Sequence, residues 1–168
     1  GSTNISFLLS GLYTTILISF LSITLSLILG FFFALPGISS NKYLLLINRI
    51  YVEVIRSIPL LVLLLWVYYG LPIVVGLSLG PFTAGILSLA LSDSAFEAEI
   101  FRGGIQSIHI GQHEASKSLG LNDWQKMRLI ILPQALRLIL PPIGNQFVYI
   151  VKMSSLVSII GLADLTRK

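Results

Sequence analysis

The chain is 168 residues long, 55% hydrophobic and only 11% charged, a balance far from that of a soluble domain. It has no cysteine, which excludes a disulfide framework and thiolate chemistry or metal ligation. Its formal net charge of +4 comes without the basic patch interleaved with exposed aromatics that nucleic-acid binding needs, so the cations are read as membrane topology.

Residues 1–35 carry no charged side chain. Leu12–Leu35 is long enough to span a bilayer, and Pro36-Gly37 stops it. No basic stretch precedes it, so it reads as a retained first span and not as a signal peptide. The hydroxyls of Thr14, Thr15, Ser19, Ser22, Thr24 and Ser26 are placed to bond back onto their own helix or across to a neighbour. Lys42, Arg49, Glu53 and Arg56 follow at spacings of seven, four and three, which puts all four on one helical face. That predicts an interfacial helix, with Glu53 in reach of Arg49 or Arg56, leading into a second span at Pro59. The next charge is Asp93. The interval is too long for one span, and Gly70-Leu71-Pro72 with Gly80-Pro81 divides it, so span two ends near Gly70 and span three covers about Phe82–Arg102.

The most polar stretch, Glu114–Pro133, reads as part of two helices with a sharp turn between them. The first covers His109–Leu119 and closes on Gly120, where a left-handed backbone carries no Cβ penalty. Asn122 is the next N-cap, and Gln125 three residues on completes a capping box. The second helix runs through Trp124 and Met127 until Pro133 removes a donor and bends it. A fourth span rises from about Leu129 to Val151, interrupted by Pro133 and Pro141-Pro142. Eight of the eleven Lys and Arg lie in 42–56 and 102–137, and none in 1–41 or 57–101. The positive-inside rule then places the N-terminus outside and the central loop in the cytoplasm. With four spans the Arg167-Lys168 end falls outside, against that rule.

Ionisable groups at membrane depth are functional candidates because their burial is costly. Asp93 lies eleven residues past Phe82, about 16 Å down a helix and near the midplane. Glu97 is one turn further on the same face, and Ser94 adjoins it. They bear either on a translocated ligand or on the protein's own structure, with Lys152 as a partner for Asp93. Pro141-Pro142 precedes Gly144-Asn145-Gln146, where a broken helix would line a cavity; Asn145 and Gln146 equally serve as glue between spans. An enzyme is disfavoured. His109 and His113 stand one turn apart beside Glu114, but no third ligand has useful spacing and both histidines lie in the loop. There is no phosphate-cradling GxxxxGK[ST] motif, so the chain itself has no such ATP site.

The series Glu114-Ala115-Ser116, three residues, Gly120, nine residues, Ile130, one residue and Leu132-Pro133 closely resembles the EAA loop of bacterial ABC importer permeases. Ser116 stands where the pattern prefers alanine. Gly11 to Thr15, Tyr51 to Leu61, Ala95 to Arg102, and Leu132 to Arg137 with Pro141-Pro142, Gly144-Asn145 and Lys152 resemble the polar amino acid branch of those permeases. The resemblance implies an all-α integral membrane fold. Four transmembrane helices are visible, where the family usually has five, with a cytoplasmic coupling helix. Residues 1–168 would form a single domain that either stops before the last span or is a short variant without it. It implies a permease subunit of an ATP-driven importer of a polar amino acid, in a bacterial inner membrane. Gln112, Glu114, Ala115, Ser116, Leu119 and Gly120 would couple it to an ATPase. The implied partners are two ABC ATPase subunits, a second permease subunit, like or unlike, and an extracytoplasmic substrate-binding protein. No cofactor is expected on this chain; ATP and Mg belong to the ATPase. In the family's third-span signature Glu99 and Arg102 match, while Asp93 and Glu97 fall at variable positions. Acids there suit a basic amino acid, with Ser94, Asn145, Gln146 and Lys152 completing the expected path; Met153 departs from the often polar residue after the lysine. Two other readings stand beside this one: a permease for another small solute, and a membrane scaffold subunit with no path of its own.

Overall fold

The structure, a computed structural model, describes residues 1–157 and Gly161. The expected position of Arg167-Lys168 lies outside the described residues. Among those described, the chain is helical throughout, with short connections and no strand. Helix α1 covers Ser2–Gly37, ten residues longer at its start than expected, because nothing in the uncharged leader opposes helix. It ends at Gly37 as expected, with Pro36 inside its last turn.

Helix α2, Lys42–Ser57, is capped by Asn41, whose side chain accepts from the Tyr43 amide. It meets α3, Leu60–Val74, at 94° across Ile58-Pro59. That sharp angle fits an interfacial helix feeding a span, since proline lacks the donor that would continue α2. Helix α3 extends past Gly70, the expected end, by means of a π turn at Trp66–Gly70. The Leu71 amide bonds the Trp66 carbonyl five residues back, and Pro72, which has no amide to offer, follows at once.

Helix α4, Pro81–Gln106, packs against α1 along most of its length and also touches α2, α3 and α6. At 26 residues it is about 39 Å long, ample for a bilayer. Among the described residues, however, only α1 and α6 are long and apolar enough to cross a membrane by composition, with the bent α2–α3 pair as a third. Four ionisable side chains, Asp93, Glu97, Glu99 and Arg102, separate α4 from that group. The neighbouring helices supply the reason it tolerates them: Asp93 and Glu97 are covered by protein.

Helix α5, Ile110–Ser118, is the short loop helix, and α6 runs over Asp123–Val157. Pro133 does not end or break α6. A second π turn, Met127–Ile131, places the Leu132 amide on the Met127 carbonyl just before Pro133, and so absorbs the missing donor. Pro141 and Pro142 likewise sit inside continuous helix, where a break was expected. The loop is held to the bundle by Ile108, Ile131, Ala135 and Ile139, all buried together. Much of the rest of the apolar surface is open, including Phe7, Leu12, Phe20, Phe32, Leu138 and Leu140, as a surface meeting lipid or other subunits requires.

Candidate functional site: a capped loop and a buried polar seam

The loop forms from local signals. His109 caps α5 by accepting the Gly111 amide at 2.9 Å. At the other end the Leu121 amide bonds the Ser116 carbonyl at 3.1 Å and the Gly120 amide bonds the Lys117 carbonyl at 3.0 Å. These are the two bonds of a Schellman cap, and Gly120 takes φ +72°. Two residues on, Asn122 accepts the Gln125 amide at 2.8 Å while the Gln125 side chain accepts the Asn122 amide at 3.0 Å. Both halves of the expected capping box are therefore formed.

The faces of α5 differ sharply. Ser116 is the one buried residue of this helix, and its hydroxyl donates to the His113 carbonyl at 2.6 Å. A small side chain is what lets α5 lie against the protein there. Gln112, Glu114, Ala115, Leu119 and Gly120 are exposed. Gln112 is tied back by Gln134 of α6, whose amide donates to it at 3.0 Å. Leu119 is 72% exposed and Trp124 is 70% exposed, so the turn presents large apolar groups beside a free carboxylate at Glu114. His113 and Glu114 join no metal-ligand cluster among the described residues.

The second group of candidates lies inside the bundle. Ser26 of α1 donates to Asp93 Oδ2 at 2.6 Å. The Tyr51 hydroxyl of α2 hydrogen-bonds Ser94, and the Tyr51 ring stacks on Phe33 with centroids 3.6 Å apart. Asn48 donates to the Phe33 carbonyl at 2.8 Å. Among the described residues Ser22 Oγ and Ser88 Oγ are buried without a hydrogen-bond partner, and the buried Glu97 carboxyl lies within hydrogen-bond reach of that of Asp93. Gly30 makes this contact possible: a Cβ there would stand 2.5 Å from Glu97 Cβ. The seam is polar, close-packed and sealed by α1.

Asn145 and Lys152 sit elsewhere, exposed on α6, and Gln146 is half-buried. Among the described residues no hydrogen bond or ion pair joins them to Asp93, Ser94 or Glu97, and the expected Asp93–Lys152 pair is not formed. Glu99 is held by Arg102 through two bonds of 2.6 and 3.1 Å. Of the first-span hydroxyls, Thr14, Ser19 and Thr24 bond back onto their own helix, whereas Ser26 reaches across. Gly30 and Tyr51 were not singled out as site residues. The signal for Gly30 was present in the run of small residues Ser22, Ser26, Gly30 and Ala34 at every fourth position, a pattern that lets helices approach closely.

Residues 26–168 match the family described as the binding-protein-dependent transport system inner membrane component. The permease protein GlnM of Bacillus subtilis (strain 168), named as a probable glutamine ABC transporter component, is 43% identical over 162 residues, covering 96% of this chain and 74% of its own length. The arginine transport system permease protein ArtQ of the same organism is 38% identical, with 98% of this chain and 75% of its own length covered. A solved structure titled as an amino acid ABC transporter with histidines superposes with a TM-score of 0.87 at 45% identity, covering 99% of this chain and 77% of that one. The chain belongs to this family of inner-membrane transport components: it is an all-helical, multi-pass permease subunit. It spans about three quarters of the length of these relatives.

Proposed function

We propose that the chain forms half of the translocation path of an ATP-driven importer for a polar amino acid, and that α5 with its Gly120 turn docks on a separate ATPase. The carrying observation is the doubly capped helix–turn–helix, which holds Glu114, Leu119 and Trp124 exposed in a fixed geometry. A loop with no partner has no use for rigid apolar display. ATP and Mg then belong to the ATPase, and the chain carries no cofactor of its own. Two ATPases, a second permease subunit and an extracytoplasmic binding protein complete the assembly. Gln112, Ala115 and Ser116 serve the docking by anchoring α5 and keeping its profile low.

The chain lies in the bacterial inner membrane with α5 on the cytoplasmic side and Ser78 on the outer side. A cysteine at Ser78 labels with an impermeant reagent from outside and one at Ser118 from inside only; the reverse pattern sinks the docking role. The path runs along the exposed α6 face that carries Asn145 and Lys152, with the half-buried Gln146 at its side. Asp93, Ser94 and Glu97 reach a substrate only where α1 parts from α4 in the transport cycle. ATP binding drives that cycle only as far as the ATPases discriminate between conformations through α5.

Uptake competition tests the whole reading, in vesicles holding the full-length subunit with its ATPase and binding protein. Labelled glutamine or arginine is taken up with ATP, and the unlabelled polar amino acids compete. Uptake of neither overturns the amino acid assignment, and uptake that survives without ATPase overturns the coupling. Relatives named for glutamine and for arginine leave basic and neutral substrates to be separated by Asp93→Asn, which removes a charge and keeps the shape. If arginine is the substrate, its transport weakens by roughly 1.5–3 kcal/mol, the scale of a charged hydrogen bond.

A further inference from the structure

The groove of about 440 Å³ between α2 and the adjoining ends of α1 and α4 is unused by the coupling loop and by the proposed path. We propose that it binds the phosphate of an anionic phospholipid. Four cations, Lys42, Arg49, Arg56 and Arg102, line it with two carboxylates, Glu53 and Glu99. Both carboxylates are engaged: Glu99 by Arg102 at 2.6 Å and Glu53 by Arg49 at 3.9 Å. Among the described residues neither Lys42 nor Arg56 makes a close ion pair, and Arg56 acts on Glu99 only through space. Their neighbours are aromatic, with Lys42 5.3 Å from the Tyr43 ring centroid and the Arg56 guanidinium 5.0 Å from that of Phe96. The groove is thus net positive, with two cations that no close ion pair neutralises.

The helix that carries these cations explains why the anion is a lipid. Asn48 and Val52 bury one face of α2 against the bundle. The charged positions form a second face, and Ile47, Ile50 and Val54 form a third that is exposed. An amphipathic helix of this kind lies at the boundary of hydrocarbon and headgroup, and the 94° turn into α3 sets it across the direction of the next span. Its charged groove then sits at headgroup depth, where a phosphate ester is at high local concentration and its acyl chains can lie along the exposed apolar face. Basic pockets beside membrane helices recognise anionic headgroups on this physical basis.

The test uses the full-length transporter complex in phosphatidylcholine nanodiscs doped with photoactivatable phosphatidylglycerol or photoactivatable phosphatidylcholine. Crosslinked peptides are mapped. Phosphatidylglycerol should label α2 and the end of α4 in preference to phosphatidylcholine, while both label the outer face of α1 alike. Lys42→Gln with Arg56→Gln should weaken the preference about 30-fold, since each cation near a membrane surface is worth about a factor of five. Lys42→Arg with Arg56→Lys keeps the charge and should keep the preference, and unchanged α1 labelling reports a correctly inserted protein. Equal labelling of α2 by the two lipids overturns the proposal, as does a preference indifferent to charge removal. Displacement of the lipid by millimolar inorganic phosphate would assign the groove to a soluble anion and overturn it equally.

Discussion

The α5–α6 turn and the α1–α4 seam are the two polar regions of an apolar chain, and they are built by opposite means. In the turn the bonds that shape the two caps join residues within a few positions of each other, Gly111 to His109, Leu121 to Ser116 and Gln125 to Asn122. Among the described residues only the Gln134–Gln112 side-chain bond of the turn reaches further. In the seam the fixing contacts join Ser26 to Asp93, Tyr51 to Ser94 and Gly30 to Glu97, partners far apart in sequence. The turn is wet and can be altered piece by piece. The seam is buried, so each alteration meets a packed neighbour and a weakly screened polar group.

The largest effect expected from this difference is at Gly30. Gly30→Val places a branched side chain where even a Cβ meets Glu97 Cβ at 2.5 Å and the backbone of Ser94 and Ala98 at 3.1 Å. Helix backbone offers little give, so overpacking here should cost at least about 3 kcal/mol. The full-length subunit should lose most of its yield in the membrane or melt well below wild type in its complex. Melting at the wild-type temperature would mean that α1 and α4 part easily.

Glu97 tests the same seam in the other direction. Its carboxyl is buried against that of Asp93, and packing two carboxyl groups together out of water costs about 1–3 kcal/mol. Glu97→Met keeps roughly the volume and removes the second of the two buried carboxyls. The expected outcome is a gain in stability of about 1–3 kcal/mol, read as a higher melting temperature of the complex, together with impaired transport if the seam opens to substrate. A fall in stability would show that another subunit satisfies the carboxylate.

How much of each region was legible in the sequence follows from the same contrast. The caps at Gly120 and Asn122 were readable because capping chemistry is local, and the structure has both. The charged face of α2 was readable because helical periodicity is local too. Asp93 and Glu97 stand out in the sequence as acids in an otherwise apolar stretch, but their neighbours do not, because Ser26 and Tyr51 become partners only through helix packing. The four-residue spacing from Ser22 to Ala34 marked a close-packing face without naming what it faces. The prolines misled for a related reason. Pro133 and Pro72 each remove a donor, yet in both cases a preceding π turn accommodates the loss and the helix continues. Composition alone cannot announce that local adjustment.

Gly120→Val is the larger of the two tests of the turn. The residue sits at φ +72°, where an L side chain costs roughly 1–2 kcal/mol and a β-branched one resists most. A Cβ there would meet nothing within 4 Å, so the penalty is purely one of backbone conformation. The bundle should fold and insert normally. What should fail is transmission, seen as ATPase activity in the reconstituted complex that no longer rises fully with loaded binding protein. A normal response would show that the turn can change its geometry without uncoupling the two subunits.

Asn122→Ala should have the smallest effect and sharpens the comparison most. It deletes the acceptor of the Gln125 amide and leaves the reciprocal bond from the Asn122 amide to Gln125 in place. Loss of an N-cap costs about 1 kcal/mol, and here the cost falls on the first turn of α6. That turn is already exposed at Asp123, Trp124 and Gln125. Ile131 and Ala135, buried about two to three turns further on, hold the helix whether or not its cap is intact. Amide exchange at Gln125 and its neighbours should therefore quicken about fivefold, the kinetic equivalent of that energy, while exchange along α1 and α4 stays as in wild type. Faster exchange in the seam would contradict this division, because it would mean that the α5–α6 turn and the buried acids unfold as one cooperative unit. Pairing the substitution with Gln125→Ala completes the check. The two side chains make reciprocal bonds, so their combined effect should fall short of the sum of the single ones.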